Sequence, residues 1–423
     1  MSENVNVEQM SSKDALSYFQ AKLDEDARQA KKEGRLVCWS ASVAPPEFCV
    51  AMGITMVYPE THAAGIGAHK GSMPILDVAE NKGYNTDICS YCRVNMGYME
   101  LLKQKALTGK TPQVLADSPA ADVPLPDLVI TCNNICNTLL KWYENLANEL
   151  HIPLLMIDVP FNHEWPVQKH NKEYIVGEFK HVISQLEEIC GRPFDYDKFL
   201  EVQKQTQRSV AAWNKIATFL TYKPSPINGF DLFNYMGLIV CARSLDYSEI
   251  TFNKYVKELE AKLEAKKYAF GDNEKTRVTW EGIAVWIALG HTFKELKGMG
   301  SLMTGSAYPG IWDLTYTPGD MESMADAYTH TYINCEIGHR GEVLEQVVSS
   351  GKCDGMVVHQ NRSCKNMSLL NNAGALYVQK KLDVPFVIFD GDQTDPRNFS
   401  EAQFDTRVEA LGEMMDAKKG GNQ

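Results

Sequence analysis

Two loops in this chain carry cysteine pairs where glycine or serine would be ordinary. "YNTDICSYCR" (84–93) holds Cys89 and Cys92, "TCNNICN" (131–137) holds Cys132 and Cys136, and a further cysteine, Cys364, closes "NRSC" (361–364). Thiolates are soft ligands, so thiols drawn from distant loops point to a metal site. Structural zinc favours paired ligands, CxxC with CxxC or with HxxxH, and only Cys89 and Cys92 have that spacing. Iron–sulfur clusters take thiolates, usually four, and do not always need tight local spacing; three would leave one iron with an exchangeable position. The same "CSYC" could be a redox pair, but no thioredoxin-like Trp or Pro flanks it. Two further groups can act on oxygen chemistry: Ser42 behind "RLVCWSAS" (35–42) and Glu60 at the end of "GITMVYPE" (53–60). Their simplest readings are an N-cap serine and a carboxylate at a helix N-terminus. Cys38, Cys49, Cys190, Cys241, Cys335 and Cys353 read as buried or neutral small side chains.

The elements that must position these groups are short apolar runs bounded by turn residues. The first part of the chain gives 35–42, 53–60, 127–132 and 153–159, and the last third gives 277–285, 301–308, 354–360 and 385–392. The two sets echo each other: "VCWS" faces "VTWE", "DLVITCNNIC" faces "DGMVVHQNRSC", and "IPLLMID" faces "VPFVIFD". This predicts an α/β chain of two similar Rossmann-like lobes, each with a small parallel sheet, plus helical N-terminal and connecting segments. The expected division is 1–30, an amphipathic helical segment; 31–165, the first lobe; 166–270, a helical connection; and 271–423, the second lobe, whose tail "KKGGNQ" reads as disordered. Parallel sheets bind ligands beyond the carboxyl ends of their strands, and that edge is where Ser42, Glu60 and the loop cysteines fall. Two lobes face to face would bring them into one cleft.

Composition narrows the class. With 423 residues, 44% of them hydrophobic and 23% charged, the chain reads as an ordinary globular protein of two or three domains. A net charge of −12 without a basic run argues against nucleic acid. No signal peptide and no membrane span are expected, which places the chain in the cytoplasm with its 11 cysteines reduced. "GIGAHKG" (65–71) misses the dinucleotide fingerprint by one position, and GxxxxGK[ST] is absent, so an ATP-driven step would belong to another protein.

Taken together, "CWSASVAPPEF", "YPETHAAGIGAHKG", "TCNNICNTLLKWYENL", "NGFDLF", "MTGSAYP", "NRSCK" and "FDGDQTDPR" resemble the alpha subunits of the 2-hydroxyacyl-CoA dehydratases, relatives of the benzoyl-CoA reductase subunits, over about residues 30 to 412. The resemblance implies a [4Fe–4S] cluster on Cys89, Cys136 and Cys364 with its fourth iron open, and substrate contacts from Ser42 and Glu60. It assigns no role to Cys92 or Cys132. It further implies a heterodimer with a homologous beta subunit carrying its own cluster, and a separate ATP-dependent iron–sulfur activator. The implied reaction removes water from a 2-hydroxyacyl-CoA in the syn sense. One electron added to the thioester makes a ketyl radical anion, which expels the α-hydroxyl and acidifies the β-hydrogen; a side-chain base alone, worth about 10² to 10⁴ in rate, does not suffice. The first strand region most resembles members acting on lactoyl-CoA, which implies acryloyl-CoA as product. Reductive dearomatisation of an aryl-CoA, or a non-catalytic electron-transfer subunit, are the competing activities.

Overall fold

The computed structural model describes residues 6–119 and 122–420. Within them, β1 (Val37–Ser40), β2 (Thr55–Val57), β3 (Leu128–Cys132) and β4 (Leu154–Ile157) form one parallel sheet in the order β2-β1-β3-β4. A second parallel sheet is built from β5 (Thr276–Glu281), β6 (Ser301–Gly305), β7 (Gly355–Asn361) and β8 (Phe386–Gly391) in the order β6-β5-β7-β8. The two orders are the same. Central strands are buried along their whole length, as apolar runs covered on both faces require, while the edge strand β4 alternates.

The likeness extends to single hydrogen bonds. At the start of β3, Asp127 donates its N–H to the Val37 carbonyl at 2.8 Å and accepts the Val37 N–H on Oδ2 at 2.8 Å. Asp354, just ahead of β7, does the same to Arg277, at 2.7 and 2.8 Å. This clasp aligns Val37 with Arg277, and the strand registers follow from it: Trp39 pairs with Val129 as Thr279 pairs with Met356. The tryptophans therefore do not coincide. Aligning "VCWS" with "VTWE" is off by one residue, because the clasp, not the indole, fixes the register. The β4 and β8 alignment holds as read, with Val129 on Leu154 and Met356 on Phe386.

Between the sheets the chain is helical, with Lys169–Cys190, Tyr196–Thr218, Gly229–Ala242 and Asp246–Glu264. The first of these regions shares one core with the first sheet and with the N-terminal helix Ser12–Lys32, whereas the second sheet has a separate core on each face, around Trp280 and Phe389 on one and around Leu344 and Val358 on the other. Each large apolar side chain so buried is worth about 1.5–3 kcal/mol. The last helix, Glu401–Gly420, runs through Lys418 and Lys419, which read as part of a disordered tail: Lys418 pairs with Asp383 at 2.7 Å and Lys419 Nζ donates to the Lys275 carbonyl at 3.0 Å. The remainder of that tail, 421–423, and the first five residues of the N-terminal segment lie outside the described residues.

One glycine governs where a loop cysteine sits. Helix Ser90–Thr108 crosses helix Ser72–Asn81 so closely that a Cβ on Gly97 would lie 2.2 Å from the Ile75 carbonyl oxygen. The crossing sets the position of the helix that begins at Cys89. Its first turn is tied to the second lobe by the segment after β8, where Ser90 Oγ donates to Asp392 and Arg93 pairs with Asp395 at 2.8 Å, and the crossing helix is tied to the same segment by Ser72 Oγ, which donates to the Thr394 carbonyl at 2.6 Å. Among the described residues no helix is long and apolar enough to cross a membrane.

Candidate active site

In each sheet the chain steps outward from its first strand and then returns to pair its third strand on the other side, so a crevice opens between β1 and β3 and again between β5 and β7. The loops from these points meet. Cys136 is the residue before helix Asn137–Leu150, Cys364 the residue before helix Lys365–Leu382, and Cys89 the residue before helix Ser90–Thr108. All three line a single cavity of about 1150 Å³ together with Ser42 and Glu60. Cys92 and Cys132 do not line it: Cys92 is buried within its helix, and the Cys132 thiol donates to Asn134 Oδ1 at 2.7 Å.

Burial pushes all three cavity thiols above their usual range, Cys364 to about 12. The next cause shows that they converge. Cys89 is pushed up further by Cys364 and also by Cys92 and Cys136, and Cys364 by Cys136. Each thiol also faces first-turn backbone N–H groups, of Cys92, of Leu139 and Thr138, and of Met367, which pull the other way. These N–H groups stop short of full cap hydrogen bonds. Three half-buried thiols in one cavity, any two of which would repel if both ionised, are a poor arrangement for three bare thiolates and a good one for a cationic centre that replaces their protons.

The size of that centre follows from the spread. A zinc at about 2.3 Å from each sulfur would hold tetrahedral thiolates about 3.8 Å apart. Among the described residues, the group of His, Cys, Asp or Glu whose ligating atoms all lie within 4.8 Å of one another is His291, Glu295 and Asp405, none of which lines this cavity; the three thiols are not all so close together. They suit a polynuclear iron–sulfur centre better than a single ion. Gln393, fully buried, adds an N–H to Cys89 Sγ at 3.3 Å, and its own Oε1 is held by Asn361 Nδ2.

Across the cavity, Glu60 stands in the first turn of helix Pro59–Ala68. Its carboxylate receives three donors and keeps acceptor capacity to spare: the Ser42 N–H reaches Oε1 at 2.9 Å, the Tyr143 hydroxyl reaches Oε2 at 3.0 Å, and the Ser42 hydroxyl also interacts with it. Burial still wins over these bonds and raises its pKa. The Ser42 loop is fixed from behind by buried Arg243, which donates to the carbonyls of Ser42 at 3.1 Å and Ala44 at 2.8 Å. An aromatic wall completes the site near the thiols: the Trp286 indole N–H donates to the Tyr91 hydroxyl, and Tyr91 faces Tyr308. From there the cavity extends to the N-terminal helix at Leu16, Gln20 and Asp24 and to Tyr235, Tyr255 and Lys262.

Sequence reasoning missed Tyr143, Arg243, Gln393 and the Trp286–Tyr91–Tyr308 wall. "SAYP" and "GDQTD" were visible as unusual stretches, but partners up to 304 residues apart leave no local spacing to read. What the arrangement can do is hold a long ligand in an extended cavity, place one end of it against a thiol-bound metal centre, and face that end with hydrogen-bonding oxygen groups.

Residues 41–415 match the family model described as 2-hydroxyglutaryl-CoA dehydratase, D-component. The chain is 64% identical to lactoyl-CoA dehydratase subunit alpha of Anaerotignum propionicum, over 96% of this chain and 97% of that one. It is 41% identical to the (R)-2-hydroxyisocaproyl-CoA dehydratase alpha subunit of Clostridioides difficile, over 93% of each. It is 38% identical to the (R)-phenyllactyl-CoA dehydratase alpha subunit of Clostridium sporogenes, again over 93% of each.

Proposed function

The chain belongs to the 2-hydroxyacyl-CoA dehydratase family and is a hydro-lyase, and on that premise we propose that it is the alpha subunit of a radical dehydratase converting (R)-lactoyl-CoA to acryloyl-CoA. The observation that carries the reading is the convergence of Cys89, Cys136, Cys364, Ser42 and Glu60 on one cavity from five separate connections. Cys89, Cys136 and Cys364 would hold a [4Fe–4S] cluster with one open iron, which when bound supplies a Lewis acid and a one-electron donor to the thioester carbonyl. The rest is the work of this chain's residues. Glu60, already receiving the Ser42 N–H and the Tyr143 hydroxyl, is a fixed negative edge that orients the α-hydroxyl of the substrate. Ser42 positions Glu60 and is itself positioned by Arg243. The aromatic wall excludes water, so that charge developing on the acyl group meets placed dipoles rather than solvent.

The cavity is larger than the ordinary 300–1,000 Å³ of a small-molecule site, as a thioester with a long pantetheine arm requires. The name "subunit alpha" borne by its relatives supports a beta-subunit partner, and we place the first electron on a separate ATP-dependent iron–sulfur activator. The cytoplasm is the proposed location.

The test is the iron and acid-labile sulfide content of the protein purified anaerobically with its partner, with EPR spectra before and after (R)-lactoyl-CoA. About four irons on this chain and a signal perturbed by the thioester are expected. Zinc, or no metal in protein never exposed to air, would overturn the cluster; an intact cluster with no water eliminated from lactoyl-CoA would overturn the substrate.

A further inference from the structure

The registers of the two sheets place Tyr308 where the first lobe has Glu60. Val57 of β2 pairs with Trp39, and Gly305 of β6 pairs with Thr279, the residue that the aspartate clasp aligns with Trp39. Glu60 stands three residues beyond Val57, and Tyr308 three residues beyond Gly305, each in the first turn of the helix that follows its strand. Each lobe thus sends one thiol from behind its third strand and one oxygen group from behind its second strand into the same cavity.

The oxygen groups differ in what they have left to give. Near the thiols, the Ser42 and Tyr143 hydroxyls are directed at Glu60, and the Thr138 hydroxyl is directed at Cys136. The Tyr91 hydroxyl accepts the Trp286 indole N–H and faces the Tyr308 hydroxyl, so with one acceptor side taken its own proton is the one left for the Tyr308 oxygen. Tyr308 therefore has an oriented oxygen and, among the described residues, a proton given to no acceptor, and Cys364, Glu60 and Cys89 are its titratable neighbours. A hydroxyl leaving a carbon needs a donor facing its oxygen, and a carboxylate already receiving three donors is an acceptor.

We propose that Tyr308 touches the substrate: its hydroxyl donates a hydrogen bond to the α-hydroxyl oxygen of the 2-hydroxyacyl thioester, opposite Glu60, with Trp286 and Tyr91 as the residues that position it. The assignment rests on the dehydratase reading above. It makes the bond between Tyr308 and the α-oxygen a source of discrimination between a 2-hydroxyacyl-CoA and the same acyl-CoA without its hydroxyl.

The experiment compares dissociation constants of (R)-lactoyl-CoA and propionyl-CoA on the heterodimer before activation, for wild type, Tyr308→Phe and Tyr91→Phe, beside kcat and KM for the activated enzyme and iron content for each protein. Tyr308→Phe is expected to keep its iron and its affinity for propionyl-CoA within about twofold, and to lose about tenfold of the preference for lactoyl-CoA, the size of one hydrogen bond. Its kcat falls by more than that, because the bond tightens as the hydroxyl departs. Tyr91→Phe is expected to lose a smaller part of the same preference. Equal weakening of both thioesters by Tyr308→Phe would reduce Tyr308 to a packing residue and overturn the proposal, as would an unchanged preference with unchanged kcat. If wild type eliminates water from no 2-hydroxyacyl-CoA, the dehydratase reading fails, independently of how the variants bind.

Discussion

The two lobes share strand order, aspartate clasp and the placing of one thiol and one oxygen group, yet they treat buried charge in opposite ways. In the first lobe Glu60 has both carboxylate oxygens occupied, and Glu47 is met by Tyr328 at 2.9 Å and Tyr316 at 2.8 Å, with Arg243 close by. In the second lobe Arg340 and Glu281 are fully buried and paired through Nη2 and Oε1, but among the described residues Arg340 Nε and Nη1 and Glu281 Oε2 have no hydrogen-bond partner, nor does Asn371 Oδ1. The Arg340 guanidinium instead lies 4.5 Å from the Tyr332 ring centre, and burial pulls its pKa down to about 9. A common scaffold has diverged: one lobe directs its polar groups at Glu60, and the other carries a buried pair whose desolvation is incompletely offset.

Breaking the comparison most severely means removing what the lobes hold in common. Cys136→Ala and Cys364→Ala, equivalent positions, are both expected to abolish iron binding and activity together, while Cys132→Ala retains both; iron and sulfide assays decide it. Retention of full iron by either variant of the first kind would remove that cysteine from the ligand set. Next, Glu60→Gln should lower kcat by about 10² to 10⁴ with iron unchanged, since an amide N–H must then face the donors from Ser42 or Tyr143.

The second lobe's pair gives a contrast in stability. Arg340→Met leaves Glu281 buried without its cation and should cost about 3–5 kcal/mol in a urea titration, whereas Arg340→Met with Glu281→Leu recovers most of it. If the single variant costs under about 1 kcal/mol, the unpartnered atoms are better satisfied than the geometry indicates.

The smallest effect concerns Asp24 on the N-terminal helix, where burial raises the carboxyl from 3.8 to about 6 against the weaker pull of Arg28. The folded state holds this proton more tightly than the unfolded one, so stability falls as the pH rises from about 4 to about 6 and stays reduced above that. Asp24→Asn should therefore stabilise the chain by about 1–3 kcal/mol at pH 8 and by almost nothing at pH 4. Equal effects at both values would mean that the gain is not electrostatic.

How far the sequence carried can be argued from particular residues. Strands and their echo were legible because parallel strands buried on both faces must be short, continuous and apolar. That loop cysteines would meet in one cleft was legible because they stand behind the carboxyl ends of parallel strands, and the three that the family resemblance picked out do line it. Tyr308 was not, because its equivalence to Glu60 passes through a register that shifts between Val278 and Thr279 and through a clasp made by side chains. A matching tryptophan pointed to the wrong register. The Gln393 contact with Cys89 joins loops from different lobes, which no periodicity encodes.

The order of the three cavity thiols along the chain has a consequence for biosynthesis. Between Cys136 and Cys364 lie 227 residues. At about 5–20 residues per second, a nascent first lobe waits roughly 10–45 s on the ribosome with two thiols and no third wall to its cavity. The segment Asp392–Asp395 that clamps the Cys89 helix emerges later still. The proposed metal centre, if held by Cys89, Cys136 and Cys364, would bridge both lobes and could be loaded only after Cys364 is made, so cells unable to insert it after synthesis should accumulate full-length, empty protein rather than truncated, loaded fragments.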